Sequence, residues 1–444
     1  MNCTQPAQIP LTHRAILATA LPVMISNVST PLLGLVDTAV LGRIPDPAYI
    51  GAVAVGALIF SFAFWAFGFL RMGTTGLTAQ ALGAGNVDEI VAGLLRALLI
   101  SLAAGVALIV LQWPVRSIAF ALVEGSAQVE LLARGYFDIR IWSAPAALAN
   151  YALLGWFIGL GRTRVGLVLQ LVLNVTNIAL DAFFVLGLGW DVRGVALGTV
   201  IAEYTAVMTG LAIAIRHSRG LGGRWTIARA LAREKLQRTI AVNGDIMIRS
   251  LALIFAFVWF TAQAAKQGEV LLAANAVLLQ FVSTSAYFLD GIAFATEALV
   301  GHALGAARRA GLTAAARLTT YWAAGLAALL SLLLAVFGPA FVDLMTVDAA
   351  TRATARIYLG WAAIAPVLGV WAFQLDAIFI GTTRTADMRN AMLASLAIYL
   401  FAWWLLTPWG NHGLWAALCV HYLARMATLL WYYPGLVRSV PNEA

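Results

Sequence analysis

The chain has 444 residues, of which 62% are hydrophobic and only 11% charged, with a mean hydropathy of +0.87 and a formal net charge of +8. A soluble domain carries roughly 25% charged residues and needs them to cover its surface, so an array of soluble domains is excluded and a polytopic membrane protein is expected. The positive balance fits arginine-rich loops beside an anionic leaflet; basic patches interleaved with aromatics do not occur outside apolar segments, and no nucleic-acid partner is expected.

Apolar stretches of about 20 residues run near 14–41, 50–78, 91–113, 131–160, 166–187, 194–215, 239–264, 270–300, 314–337, 353–380, 390–408 and 413–433. These twelve predicted transmembrane helices leave short connections and no room for a soluble domain. The first, starting near Ile16, is too long for a signal h-region and lacks a small-residue cleavage site. Cys3 and Cys419 lie far apart, and His13, His217, His302, His412 and His421 show no ligand spacing, so neither a disulfide framework, a metal site nor a cofactor is expected.

The first span carries Asp37 in Leu32-Leu33-Gly34-Leu35-Val36-Asp37-Thr38-Ala39-Val40-Leu41, with no basic residue within a helical turn. Charge is costly there, which suits a group that takes up and returns a proton; a carboxylate snorkelling to the membrane face is the other reading. Pro22 and Pro31 flank the polar run Ser26-Asn27-Val28-Ser29-Thr30 in the same span. Each removes a backbone hydrogen bond, so the helix can bend, and Pro22 is the candidate hinge. In the fifth span Asn174, Asn177 and Asp181 fall at i, i+3 and i+7 and share one helix face. The stripe points into a cavity or hydrogen-bonds a neighbouring helix.

The second half carries a different set. Asp290 and Glu297, seven residues apart on the eighth span, and Arg249 on the seventh form a candidate internal clamp or substrate site, with Asp245 the expected local partner of Arg249. Asp376 stands alone in the tenth span. The Asn177-x-x-x-Asp181 spacing lacks the clustered carboxylates with which membrane prenyltransferases hold magnesium diphosphate, so an enzyme is not expected.

With a cytoplasmic N-terminus, seventeen Lys and Arg fall on the cytoplasmic side and five on the other, which places both termini inside. Seven of the seventeen lie in 216–238, the longest polar segment, which reads as a cytoplasmic linker and amphipathic surface helix between an N-lobe (1–215) and a C-lobe (239–444). A repeat supports the halves. Val53-Ala54-Val55 matches Asn275-Ala276-Val277, Leu82-Gly83-Ala84 matches Leu304-Gly305-Ala306, Ala133-Arg134-Gly135-Tyr136 matches Ala355-Arg356-Ile357-Tyr358, and Phe157-Ile158-Gly159 matches Phe379-Ile380-Gly381, all at an offset of 222. Six spans per half is an even number, so the halves enter the membrane from the same side, related by a pseudo-twofold axis along its normal, as in some secondary transporters.

The runs Pro31 to Gly42 and Phe69-Leu70-Arg71-Met72-Gly73-Thr74-Thr75-Gly76-Leu77-Thr78-Ala79-Gln80, with Asp245 to Leu251, Leu289-Asp290-Gly291 and Asp376 to Arg384, resemble the multidrug and toxic compound extrusion (MATE) transporters, within them the DinF (DNA-damage-inducible protein F) branch. The resemblance covers essentially the whole chain. It implies an all-α fold of twelve helices in two six-helix lobes. It also implies an antiporter, working as a monomer among membrane lipids, that exports lipophilic, mostly cationic small molecules across the bacterial inner membrane. On the family's N-lobe cation site fall Asp37, Tyr136, Asn177, Asp181 and Thr199, with Pro22 at the hinge. Sodium-coupled NorM-type relatives use carboxylates on helices seven and ten. Here helix ten has Asp376, while helix seven has only Asp245 near its cytoplasmic end, so protons are the expected coupling ion and sodium the alternative. A lipid-linked oligosaccharide flippase would line its cleft with several cations, and the internal arginines (Arg71, Arg249) are few.

Overall fold

The computed structural model describes residues 11–42, 46–122 and 126–441. Cys3 and Arg43 lie outside the described residues, and of Pro31 only the backbone path is described. In lipid every backbone polar group must be paired within its own segment, so the apolar runs fold as helices. In chain order these are α1 (His13–Leu41), α2 (Pro47–Trp65), α3 (Phe69–Gly83), α4 (Val87–Val110), α5 (Gln112–Leu122), α6 (Ala127–Arg140), α7 (Ala144–Gly159), α8 (Thr163–Asp181), α9 (Val192–Gly220), α10 (Ile227–Ala230), α11 (Arg233–Ala265), α12 (Glu269–Gly305), α13 (Arg309–Met345), α14 (Ala349–Gly381), α15 (Thr385–Leu406) and α16 (Gly410–Arg438).

Each predicted span has its helix. The second is α2 and α3 joined through a 3₁₀ turn, and the fourth is α6 and α7 joined the same way. Ten continuous stretches of the described residues are long and apolar enough to cross a membrane, the last of which, Thr385–Arg438, holds both α15 and α16. Large apolar side chains such as Leu344 and Trp431, each 84% exposed, would be a liability in water but suit a lipid-facing surface.

Short polar residues between the spans start the helices. Asp46, Asn86, Ser126, Asp191 and Asp348 accept hydrogen bonds from the first-turn amides of α2, α4, α6, α9 and α14. At Asp348, outside the spans, the Thr351 side chain and amide hold the carboxyl below the usual carboxylate range. Helix ends explain much of the repeat. After α7, the Gly161 amide donates to Ile158 O and the Arg162 amide to Phe157 O; after α14, Thr383 and Arg384 donate in the same way to Ile380 O and Phe379 O. These are Schellman caps, which need a left-handed residue, and two pairs of left-handed positions, Gly85 with Ala307 and Gly161 with Thr383, are again 222 apart. The repeated Phe-Ile-Gly marks a close crossing. A Cβ on Gly159 would stand 2.7 Å from Thr75 O, and one on Gly381 would stand 2.5 Å from Glu297 O, the same contact displaced by 222 residues.

Ala307, exposed and at φ 54°, therefore holds a conformation that costs an L-residue about 1 kcal/mol relative to glycine. Ala307→Gly is expected to raise the melting temperature of the detergent-purified protein, since no packing is lost. An unchanged or lower melting temperature would refute the strain.

The chain divides into two compact units, Ile25–Leu82 with Asn86–Thr239, and Met1–Met24 with Gly83–Gly85 and Ile240–Ala444. The first span is shared between the two units. Its first turns belong with the second-half helices because Ala20 is buried among Leu289, Ile292, Ala323, Ala327 and Val370. In that unit α12 and α14 pack around Phe260, Phe281, Trp415 and Tyr422, and Asn275 and Asn411 exchange amide hydrogen bonds of 2.7 and 3.1 Å while Trp415 Nε1 donates to Asn275 Oδ1.

The segment 216–238, in which only Ser218 and Ala230 are buried, is not one continuous helix. Helix α9 continues to Gly220, α10 is a single turn, and α11 begins at Arg233. Buried Arg96 donates from Nε to Ala230 O at 2.9 Å and from Nη1 to Glu89, and Arg229 pairs with Asp88. The carbonyls ending a one-turn helix need donors, and Arg96 on α4 supplies one, so the segment is docked onto its own unit.

Candidate functional site

Within the unit that contains most of the first half, the polar stripe of α8 is buried. Asn174 is 7% exposed, and Asn177 and Asp181 are wholly covered. Of the two readings of this stripe, hydrogen bonding to a neighbouring helix holds for Asn174. Its Nδ2 donates to Ser29 O at 3.3 Å and Ser29 Oγ at 3.2 Å on α1, while Gln170 Nε2 donates to Asn174 Oδ1. One turn further along α8 the site changes character. Asp181 and Asp37 hydrogen-bond to one another through their carboxyl groups. Carboxylates are acceptors only, so such a bond needs a proton on one of the pair.

Asn177 lies between Asp181 and Thr199. With the amide oriented to satisfy both, its nitrogen donates to Asp181 Oδ2 at 3.1 Å and its oxygen faces Thr199 Oγ1 at 3.1 Å. Thr199 Oγ1 is also 2.9 Å from Val195 O. Gly198, beside Thr199 on α9, is what gives the carboxyl room: a Cβ there would lie 2.3 Å from Asp181 Oδ1. Immediately after Asp181 the helix widens into a π-helical segment, Ala182–Gly187, a distortion that concentrates at functional positions.

Tyr136, 3% exposed on α6, lies one helical turn before Arg140. Arg140 is the residue that inspection of the sequence passes over. It is 8% exposed, hydrogen-bonds Ser143, approaches Glu203 Oε1 at 3.4 Å and lies 5.5 and 5.4 Å from the Phe60 and Phe64 ring centres. Asn150 Nδ2 donates to Glu203 Oε2 at 2.7 Å. The available signal was an arginine, Arg140, inside span four and a glutamate, Glu203, inside span six. The structure thus gathers Asp37, Asn177, Asp181 and Thr199 into one network, with Tyr136 and Arg140 at its side. Pro22 is not in it: it lies earlier on α1, in a helix continuous from His13 to Leu41.

The second-half charges are arranged differently from expectation. Asp376 does not stand alone: Arg249 Nη2 and Arg425 Nη2 both donate to its Oδ2. Arg249 is therefore paired across to α14, and Asp245 is not its partner. Asp245 on α11 instead accepts from Arg389 Nη1 at 2.5 Å and Thr385 Oγ1 at 3.0 Å on α15. Sequence spacing favours i,i+4 partners, but in lipid a nearer guanidinium on a packed helix wins. Asp290 is half-buried and Glu297 buried along α12. Buried Arg425 was missed; its signal was an arginine inside the twelfth apolar run.

Many long apolar helices and a buried, hydrogen-bonded pair of carboxyls within them define a polytopic membrane transporter. The chain belongs to the MatE family, whose model matches residues 22–183 and 246–409, once in each half. Its branch is DinF: it is 43% identical over 414 residues to the DNA damage-inducible protein F of Escherichia coli (strain K12), covering 92% of this chain and 89% of that protein. It is 26% identical to the multidrug resistance protein MdtK of Yersinia enterocolitica, over 74% of this chain and 72% of that one. Among solved structures the Vibrio cholerae MATE transporter VcmN in its bent form superposes with a TM-score of 0.86 at 19% identity, over 96% of this chain and 97% of that one. An outward-facing MATE transporter of the MOP superfamily gives 0.85, covering 99% of each chain. These likenesses establish the two-lobe MATE fold.

Proposed function

We propose that the chain is a secondary active antiporter that exports lipophilic, mostly cationic small molecules in exchange for protons. The observation that carries this reading is the hydrogen-bonded pair Asp37–Asp181. With one proton shared, the pair bears a single negative charge in a low-dielectric setting and can hold one cationic group. A second proton neutralises it and releases the cation. One proton moved inward for one monovalent cation moved outward transfers no net charge. The membrane potential, worth about 2.3 kcal/mol per charge at 100 mV, then contributes nothing, and the pH difference drives export.

Sodium is the less favoured coupling ion, because arginines already neutralise both Asp245 and Asp376. Relatives named as multidrug resistance proteins support the substrate class. The test is purified protein in liposomes loaded with a fluorescent lipophilic cation. Movement driven by a pH gradient alone is expected; movement that needs a sodium gradient would overturn proton coupling.

Pro22 serves as the hinge in this scheme. It lies two residues before Met24, the point on α1 at which the chain passes from one compact unit to the other. Pro22→Ala restores a backbone donor and should favour a straighter helix. Transport is expected to fall several-fold with expression retained; unchanged transport would remove the hinge.

We also infer that both termini are cytoplasmic, from the seventeen-to-five distribution of basic residues. A cysteine at exposed Ala228, in a background with Cys3 replaced, is expected to resist impermeant thiol reagents in intact cells. Its labelling from outside would invert the topology.

A further inference from the structure

Around Asp376 the second-half unit places more buried positive charge than that carboxylate balances. Arg249 and Arg425, 6% and 1% exposed, both donate from Nη2 to the same oxygen of Asp376. Among the described residues this leaves Arg249 Nε, Arg425 Nε and Arg425 Nη1 buried without a partner. Gln374, on α14 two residues before Asp376, accepts from Thr296 Oγ1 at 2.8 Å, and its Nε2 donor is likewise unpaired. His421 is outside this donor set: its Nδ1 faces Ser395 O at 3.3 Å, so in the neutral ring Nε2 is an acceptor.

A purely structural clamp on Asp376 would need one arginine. A second guanidinium in a membrane span is costly, and leaving its donors unmet adds to the cost. Two cations and one anion leave one positive charge, ringed by four donor nitrogens without a partner among the described residues. The fork of a guanidinium matches the two oxygens of a planar carboxylate, and a single residual charge matches a monoanion. Around it the lining is aromatic: Arg425 lies 5.7 Å from the Phe373 ring centre, and Tyr422 is buried beside Phe373.

We infer that Arg425, Arg249 and Gln374 form an occluded binding site for the carboxylate of an amphipathic organic acid, with Asp376 as the internal anion that competes for the same guanidiniums. This goes beyond the proton-coupled export of cations proposed above, and binding is read independently of transport.

The experiment is equilibrium binding of tritiated decanoate to the purified full-length protein in dodecyl maltoside by scintillation proximity. Saturable binding is expected, displaced by unlabelled decanoate but not by decanol or decylamine. Asp376→Asn removes the competing anion and should tighten binding several-fold, whereas Arg425→Gln should weaken it at least tenfold. If Arg425→Gln fails to purify, Arg425→Lys, which keeps the charge and loses the fork, is expected to weaken binding several-fold. Absence of saturable binding to the unmutated protein overturns the proposal. So does weaker binding in a monodisperse Asp376→Asn protein, as a structural clamp would give. Equal displacement by the same concentration of chloride would identify a halide site and overturn the organic-acid assignment. Failure of proton-driven cation export in liposomes with decanoate binding intact would count against the antiport reading alone.

Discussion

Asp37→Asn is expected to abolish proton-driven export while the protein still folds and purifies. Asparagine keeps the size of the side chain and can still donate to Asp181, so the contact between α1 and α8 survives. What is lost is the exchangeable proton and the negative charge that it controls. With an amide in place of the Asp37 carboxyl, the pair can no longer pass between one negative charge and none while sharing a proton, and coupling has no chemical basis. The measurement is substrate movement in liposomes under an imposed pH gradient, with monodisperse elution as the control for folding. Near-normal export by Asp37→Asn would move the search to Asp376, Asp290 and Glu297.

Gly198→Ala is the second large effect, and it follows from a single distance. The added methyl would stand 2.3 Å from Asp181 Oδ1 and 3.4 Å from Leu180 Cβ. The nearest obstacle is a side chain, so the carboxyl turns away and the backbones of α8 and α9 keep their places. Turning breaks the hydrogen bonds of Asp181 to Asn177 and Asp37. Alanine also favours the helix by about 1 kcal/mol over glycine, which offsets the local strain. Export is expected to fall at least tenfold, about 1.4 kcal/mol in rate terms, with expression and melting temperature little changed. Export within twofold of the unmutated protein would show that the Asp181 geometry is not needed.

Much of this architecture was legible in the residues. Apolar length gave the twelve spans, because lipid allows a chain no other way to pair its backbone than to close it into helices. The i, i+3, i+7 spacing put Asn174, Asn177 and Asp181 on one face, and solitude in an apolar run singled out Asp37. The 222-residue offset disclosed the two halves, and in the structure it corresponds to matched helix caps and matched glycine crossings at Gly159 and Gly381. Tyr136 and Thr199 came from family resemblance alone. A tyrosine or threonine in a span carries no local mark of function.

The class of fold, the number of spans and the carboxyl groups that need a reason to be in lipid were therefore readable from the order of residues. These follow from local rules: the cost of an unpaired backbone, the period of a helix and the cost of a buried charge. Tertiary structure alone decided which charges meet. Asp245 met Arg389 rather than its neighbour Arg249, Asp376 acquired two arginines from α11 and α16, and Asp181 found Asp37 across 144 residues of chain. The reason is that the energy of a buried ion pair depends on a separation of a few ångströms in a low dielectric. Helix packing sets that separation, and spacing along the chain carries no record of it.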